Sequence, residues 1–384
     1  MSDLETLKLD DVCTFKTGKL NSNASIENGA YPFYTCAQTI YRTNTYSFDT
    51  ECVILGGNNA EARYPIFYKN GKFDAYQRNY IIEPKDNSII NVRWLYYSLS
   101  TYLEYMRLAS TGATTRFLTL TILKNIKLNV PSINTQIKIA DTLSTYDNLI
   151  ENNNRRIKIL EQAAEELYKE WFVRMRFPGY EKTKFHKGIP EGWEIIRIKD
   201  LGEVITGKTP PTNDEENYGG EVMFVKTPDM NGNLFTIETE SYLSNKGNDS
   251  QPKKLIPEDS IMVSCIGTGG VVSINGYLAH TNQQINSIVL KKAFEREWAY
   301  FTLHSMKGTI ELFGATGATM TNLSKGKFEN LKILYPSNGL VSRYHTLTKG
   351  IFSKIKNLNI QNRNLKKQRD LLLPRLMNGT ITVK

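Results

Sequence analysis

Asparagine, glutamine, threonine, lysine and arginine gather in short loops of this 384-residue chain, and they do so twice in the same order. Thr17-Gly-Lys-Leu-Asn-Ser-Asn23 carries Lys19, Asn21 and Asn23; Thr206-Gly-Lys-Thr-Pro-Pro-Thr-Asn213 carries Lys208, Thr209 and Asn213. Gly56-Gly-Asn-Asn-Ala-Glu-Ala-Arg63 supplies Asn58, Asn59 and Arg63. Gln77-Arg78 in one half is answered by Asn282-Gln283-Gln284 in the other. Ser110-Thr-Gly-Ala-Thr-Thr-Arg116 brings Thr114, Thr115 and Arg116, and Thr316-Gly-Ala-Thr-Met-Thr-Asn322 brings Thr319 and Asn322. Lys226 and Thr268 complete the candidates. These side chains can hydrogen-bond to base edges and phosphates. Taken singly, each is ordinary turn chemistry, because Gly, Asn, Ser and Thr dominate turns. The set carries more: equivalent loops stay polar in both halves while their residues change, so that Arg116 stands opposite Thr321 and Gln77 opposite Asn282. A duplicated scaffold with divergent tips suits the reading of two different half-sites.

No catalytic constellation accompanies these loops. The chain has no Gly-x-Gly-x-x-Gly after a strand and no Gly-x-x-x-x-Gly-Lys-Ser/Thr loop. Pro210-Pro211 is followed by Thr and Asn, which is not the Asn/Asp-Pro-Pro-aromatic loop of an amino-methyltransferase. The histidines (His186, His280, His304, His345) lack ligand spacing, and His280 has Ala75 at its repeat position. These absences predict a binding protein.

The elements that position the loops are themselves duplicated. Thr111-Gly-Ala-Thr114 returns as Thr316-Gly-Ala-Thr319, and Trp94-Leu-Tyr-Tyr-Ser-Leu returns as Trp298-Ala-Tyr-Phe-Thr-Leu. Leu123-Lys-Asn-Ile-Lys-Leu-Asn-Val-Pro131 returns as Phe328-Glu-Asn-Leu-Lys-Ile-Leu-Tyr-Pro336. The Thr111 and Trp94 motifs recur 205 and 204 residues on, and the unit is far longer than a solenoid repeat, so whole domains are duplicated. Each half begins with a strand-rich part. Ser260–Cys265 reads as a buried strand, and Asn70-Gly71 and Asn275-Gly276 each read as the type I′ turn of a tight hairpin. Helices are expected around Val92–Met106 and Glu297–Phe313, then strands running into Pro131 and Pro336.

A long helix closes each half. Alternating steps of four and three pick out Ile139, Leu143, Tyr146, Ile150, Asn153, Ile157, Leu160, Ala164, Leu167 and Trp171, a coiled-coil seam. The repeat gives Tyr344, Thr348, Ile351, Ile355, Leu358, Asn362, Leu365, Arg369, Leu372 and Leu376. The expected seam contacts are Ile150, Ile157, Leu160 and Leu167 against Ile355, Leu358, Leu365 and Leu372. The obvious partner for each stripe is its own repeat, and the single asparagines Asn153 and Asn362 fit control of register. Pro374 is expected to end or kink the second helix. These readings divide the chain at 1–136, 137–173, 174–193, 194–340, 341–378 and 379–384: globular domain, helix, connector, globular domain, helix and tail. The fold class is α+β, with two pseudo-symmetric α/β domains.

Composition agrees. The net charge of +9 favours a polyanionic partner. Four cysteines (Cys13, Cys36, Cys52, Cys265) form no Cys-x-x-Cys pair, which argues against a zinc site or a disulfide framework. A polar, acidic start predicts no signal peptide, and no apolar run is long enough for a membrane span.

In the order and duplication of these motifs the chain resembles the specificity subunits of type I restriction–modification systems. The resemblance rests also on Trp171-Phe-Val-Arg-Met-Arg-Phe-Pro-Gly, Ile189-Pro-Glu-Gly-Trp193-Glu and Leu371-Leu-Leu-Pro-Arg-Leu-Met-Asn-Gly379, and spans essentially the whole chain. The first domain departs from the pattern by lacking the Pro-Glu-Gly-Trp entry and the Thr-Pro of the first loop. The resemblance implies two target recognition domains, each reading half of a split, gapped duplex DNA target. It implies that the long helices pair as an antiparallel coiled coil that measures the gap. Two methyltransferase subunits and restriction subunits would be its protein partners. S-adenosylmethionine, ATP and magnesium would bind those partners and none of them this chain, which would be a non-catalytic cytoplasmic component of DNA methylation and defence against foreign DNA. The alternatives are a single-chain DNA-modifying enzyme with divergent motifs and a coiled-coil interaction protein that does not meet DNA.

Overall fold

The computed structural model describes residues 5–60, 62–112, 115–315 and 321–383. The chain forms two units, residues 1–149 with 365–384, and residues 150–364. Candidates Thr114 and Thr319 lie outside the described residues.

The first unit is built on a six-stranded sheet in the order Cys13–Thr17, Asn79–Pro84, Phe48–Gly56, Ile66–Ala75, Tyr31–Tyr34, Tyr41–Thr43. Its pairs are antiparallel except Tyr31–Tyr34 beside Ile66–Ala75. The central run Cys52-Val-Ile-Leu55 is apolar at every position because both faces of the sheet are covered. Val53 and Leu55 face the helix side with Trp94, Leu95, Leu99 and the long-helix residues Ile139 and Leu143. Cys52 and Ile54 face a smaller core with Tyr34, Phe48, Phe73 and Ile81. The domain helix starts at Val92, where the Asn91 side chain accepts from the Trp94 N–H, and breaks at Tyr102 into a second piece, Leu103–Ala109.

The second unit repeats the plan with a five-stranded sheet, Gly202–Thr206, Ile285–Leu290, Ile261–Ser264, Val272–Asn275, Phe235–Thr236. A three-stranded sheet of Ser241–Leu243, Tyr218–Val225 and Ala279–Thr281 accompanies it. Its domain helix, Arg296–Ser305, also breaks into a second piece, Lys307–Gly314. In each unit the strand before the long helix pairs antiparallel with the opening strand: Lys127–Val130 with Glu5–Lys8, and Lys332–Tyr335 with Glu194–Arg197. The strands and helices expected around Ser260, Val92, Glu297, Pro131 and Pro336 are therefore present.

Neither Asn-Gly hairpin forms. Asn70-Gly71 sits inside the ten-residue strand Ile66–Ala75, paired opposite Glu51 and Thr50. Asn275 ends its strand fully buried and donates its side-chain amide to the carbonyls of Pro257 and Tyr277, both at 2.8 Å. The next strand, Ala279–Thr281, then joins a different sheet, beside Tyr218–Val225. In both places pairing with a distant strand outweighs the local turn preference.

The first long helix, Ile133–Tyr168, continues through a π-helical turn at Lys169–Val173; the second runs Asn338–Met377. Pro374 lies in the last turn of the second helix, which stops three residues later. The helices pack antiparallel. Within the second unit Tyr344 donates its hydroxyl to the Ala164 carbonyl at 3.0 Å, and Asn153 faces Asn362. Within the first, Asp147 accepts from Arg369 and from the hydroxyl of Tyr97 on the domain helix, both at 2.5 Å. Ile150, Ile157, Ile355 and Leu358 are buried in the seam; Leu160, Leu167, Leu365 and Leu372 are half-buried. Near Leu167 the deeper position passes to Tyr168, one residue before the π turn that re-phases the helix. Among the described residues no helix is long and apolar enough to cross a membrane.

Candidate nucleic-acid interface

Sheet register decides which loops meet. In the first unit Thr17 pairs with Tyr80, and Gly56 with Asn79. The loops that leave Thr17 and Gly56 and the one that enters Asn79 therefore emerge at one edge. Lys19 and Leu20 donate their backbone N–H groups to Ala75 O at 2.9 and 3.1 Å, folding the Thr-Gly-Lys loop across the end of the sheet. The second unit does the same, Lys208 N–H to Thr281 O at 2.9 Å. The glycine is required by close approach. A Cβ at Gly18 would lie 2.2 Å from Tyr76 O, and one at Gly207 would lie 2.2 Å from Asn282 O. Glycine packs the loop down; the following lysine stands out in solvent.

Side chains then cross-link the loops, with different residues in each copy. Gln77 donates its amide to the Asn21 carbonyl oxygen at 3.0 Å; Thr209 donates its hydroxyl to the Gln283 carbonyl oxygen at 2.6 Å. A two-residue ladder adds the remaining loops, Asn58–Asn59 against Arg116–Phe117 and Ile266–Gly267 against Thr321–Asn322. It is anchored identically. Gly57 donates to Arg78 O at 2.8 Å and accepts from Leu118 N–H; Cys265 donates to Gln284 O at 2.7 Å and accepts from Leu323 N–H. The Arg116 guanidinium reaches Ser110 O at 3.2 Å, and the Asn59 side chain accepts from the Arg63 N–H at 3.3 Å.

The structure thus gathers Lys19, Asn21, Asn58, Asn59, Arg63, Gln77, Arg78 and Arg116 on one edge, and Lys208, Thr209, Asn282, Gln283, Gln284 and Asn322 on its counterpart. Thr115 is half-buried, while Asn23, Asn213 and Thr268 are exposed on the adjoining turns. Lys226 differs from the rest: it is half-buried and its ammonium is spent on Ser241 Oγ at 2.8 Å. Among the described residues Lys19, Arg78, Arg116 and Lys208 make no salt bridge, so their charge is available to a polyanion. No cluster of metal-ligand residues occurs among the described residues.

Two supports were invisible to motif reading. Gln251, almost fully buried, donates its amide to Lys208 O at 3.0 Å and lies 3.4 Å from His280 Nδ1, while His280 Nε2 meets Asn248 Oδ1 at 3.0 Å. Burial pushes the imidazole down to about 4, so it is neutral; Nε2–H donates to Asn248 and Nδ1 accepts from Gln251. His280 is a brace for the second Thr-Gly-Lys loop. Phe117, exposed beside Arg116, offers an aromatic face at the first edge.

Comparison with known proteins places this geometry. The family of the type I restriction modification DNA specificity domain matches residues 1–162 and 190–368. The specificity subunit of the type I restriction enzyme HindI from Haemophilus influenzae is 31% identical over 365 residues, covering 78% of this chain and 80% of that protein. The MjaIX specificity subunit of Methanocaldococcus jannaschii is 28% identical over 358 residues, covering 91% and 80%. In fold, the crystal structure of the type I restriction-modification S subunit from M. genitalium superposes with a TM-score of 0.62 at 16% identity, covering 98% of this chain and 96% of that one. A duplicated α/β scaffold with a polar edge in each half, closed by paired helices, is accordingly the plan of a known family, and this chain belongs to it: it is a DNA specificity subunit of the type I restriction–modification family, a non-catalytic component.

Proposed function

We propose that the chain reads a two-part DNA target with an unspecified gap, one half-site at each polar edge. The observation that carries this is one edge built twice on the same backbone hydrogen bonds, with Asn21–Gln77 in one copy and Thr209–Gln283 in the other. Identical scaffolding with different tips gives two docking modules of different sequence preference. Lys19, Arg78, Arg116 and Lys208 supply phosphate contacts and the amide and hydroxyl side chains supply base contacts. The recognition domains are residues 1–136 and 194–340, and the helices at 137–173 and 341–378 set the gap.

Two methyltransferase subunits dock on this scaffold and carry S-adenosylmethionine; restriction subunits carry ATP and magnesium. The complex acts on duplex DNA in the cytoplasm. The chain itself brings no reacting group. Gln77→Ala tests the assignment in the complete methyltransferase complex, by binding to duplexes varied in each half-site. The expected result is relaxed preference in one half-site, about 1–3 kcal/mol per lost base contact, with the other unchanged. Equal losses in both half-sites, or none, would remove Gln77 from base recognition.

A further inference from the structure

The edge of the first unit carries a side chain that its polar loops do not account for. Phe117 stands 38% exposed between Arg116, which is exposed, and Leu118, which is buried. Its backbone is clamped on both sides. On one side Phe117 pairs with Asn58. On the other its N–H donates to Thr111 O at 2.7 Å and its carbonyl accepts from Thr111 N–H at 3.2 Å. The ring rests on the Thr-Gly turn: a Cβ at Gly112 would lie 3.3 Å from the ring atom Cδ2. The second unit supplies an internal control. Its ladder has the same two pairs, with Asn322 at the place of Phe117, opposite Ile266. Leu323 N–H donates to Cys265 O as Leu118 N–H does to Gly57 O, both at 2.9 Å, and Asn322 is exposed. The ladder therefore forms without an aromatic ring, and the ring is not there to hold the fold.

We infer that Phe117 reads the 5-methyl group of a thymine in the half-site met by the first edge. The inference rests on the two-part reading above. The amide, hydroxyl and guanidinium groups of that edge can pair with base donors and acceptors, but they gain nothing from a methyl group. The thymine methyl is the apolar feature that a base pair shows in the major groove, and Phe is among the side chains that meet it. Geometry selects this contact over intercalation. A wedge must project beyond its neighbours to enter the base stack. This ring lies back against Gly112 with more than half of the residue covered. A recessed apolar spot on a clamped strand suits a methyl that itself projects into the groove. Asn322 offers no apolar surface of that kind, so the second half-site has no methyl reader at the equivalent position.

The test uses the full chain in the complete methyltransferase complex, as wild type, Phe117→Asn and Phe117→Leu. Asparagine is what the second copy carries on the same ladder, so Phe117→Asn should keep the wild-type thermal unfolding. Affinity is measured at one salt concentration, because salt alone shifts it. Each thymine of the target is replaced in turn by deoxyuridine, which removes the methyl group and leaves the base pairing unchanged. For one thymine in one half-site, the wild type is expected to bind the uracil duplex about fourfold more weakly, the effect of one buried methyl. Phe117→Asn should bind both duplexes equally at that position and keep every other thymine effect, while Phe117→Leu retains the difference. A wild type indifferent to uracil at every position would overturn the inference, and so would a Phe117→Asn variant that keeps all the wild-type differences. A Phe117→Asn loss that is the same on thymine and uracil duplexes would also overturn it and make the ring a wedge between base steps. A wild-type complex with no two-part preference would instead overturn the functional reading beneath it.

Discussion

At the scale of single residues, the chain separates the candidate DNA-facing groups from the groups that hold them. Lys19 and Lys208 project because Gly18 and Gly207 let the loop lie against backbone carbonyls. The same scale shows a charge used against stability. Glu161 on the first long helix has its carboxyl pushed up from 4.5 to about 7, first by burial and then by Glu165 one turn on. Its folded pKa is raised, so the associated stability is fully present below the unfolded value and is lost as pH rises through about 7. Glu161→Gln removes that loss. The expected outcome is a melting temperature higher by a few degrees at pH 8 and nearly unchanged at pH 4.5. An equal shift at both pH values would show that ionisation is not the cause. The Thr-Gly-Lys loops could be picked out from sequence because they occur twice. The brace of Gln251 and His280 could not: it joins residues far apart in the chain, and the copy at Ala75 shares none of its chemistry.

At the scale of elements, periodicity and local preference fared differently. The helical seam was readable because one stripe must stay apolar over many turns; the structure buries Ile150, Ile157, Ile355 and Leu358 and half-buries Leu160, Leu167, Leu365 and Leu372. The Asn-Gly turns misled because a two-residue preference competes with a whole strand; Ile66–Ala75 pairs along nearly its full length. The asparagines in the seam acquire a physical role. The Asn153 amide donates to Asn362 Oδ1 at 2.9 Å and to Gln361 Oε1 at 3.1 Å, and the Asn362 amide donates to Asn154 Oδ1 at 2.8 Å. Both seam asparagines are about 95% buried. Asn153→Leu strands the buried Asn362 Oδ1 and should cost about 1–3 kcal/mol in chemical denaturation. The double variant Asn153→Leu with Asn362→Leu should recover at least half of it, since the acceptors it releases, on Asn154 and Gln361, are exposed to water and no buried group is left unpaired. Additive losses in the double variant would mean that the two amides are not coupled.

At the scale of the whole molecule, duplication is the organising fact. One α/β plan, one polar edge and one long helix each occur twice, while half-site chemistry is free to change. Specificity can then alter in one half without disturbing the other. The helices carry no candidate base contact, and the proposal above makes them the measuring element. Adding one heptad to each, in matched positions, keeps the seam in phase and adds about 10 Å of rise. The preferred gap should grow by about three base pairs, at 3.4 Å per step along a strand. An unchanged gap in a folded, active variant would sever gap length from helix length.

On the proposed function, this chain gives a separate methyltransferase a two-part address. Single-molecule methylome sequencing of cells expressing the chain with its methyltransferase subunit, and each alone, tests it most directly. The expected result is a gapped motif with one methylated adenine on each strand, present only when both proteins are expressed. A continuous motif, or methylation by this chain alone, would contradict it.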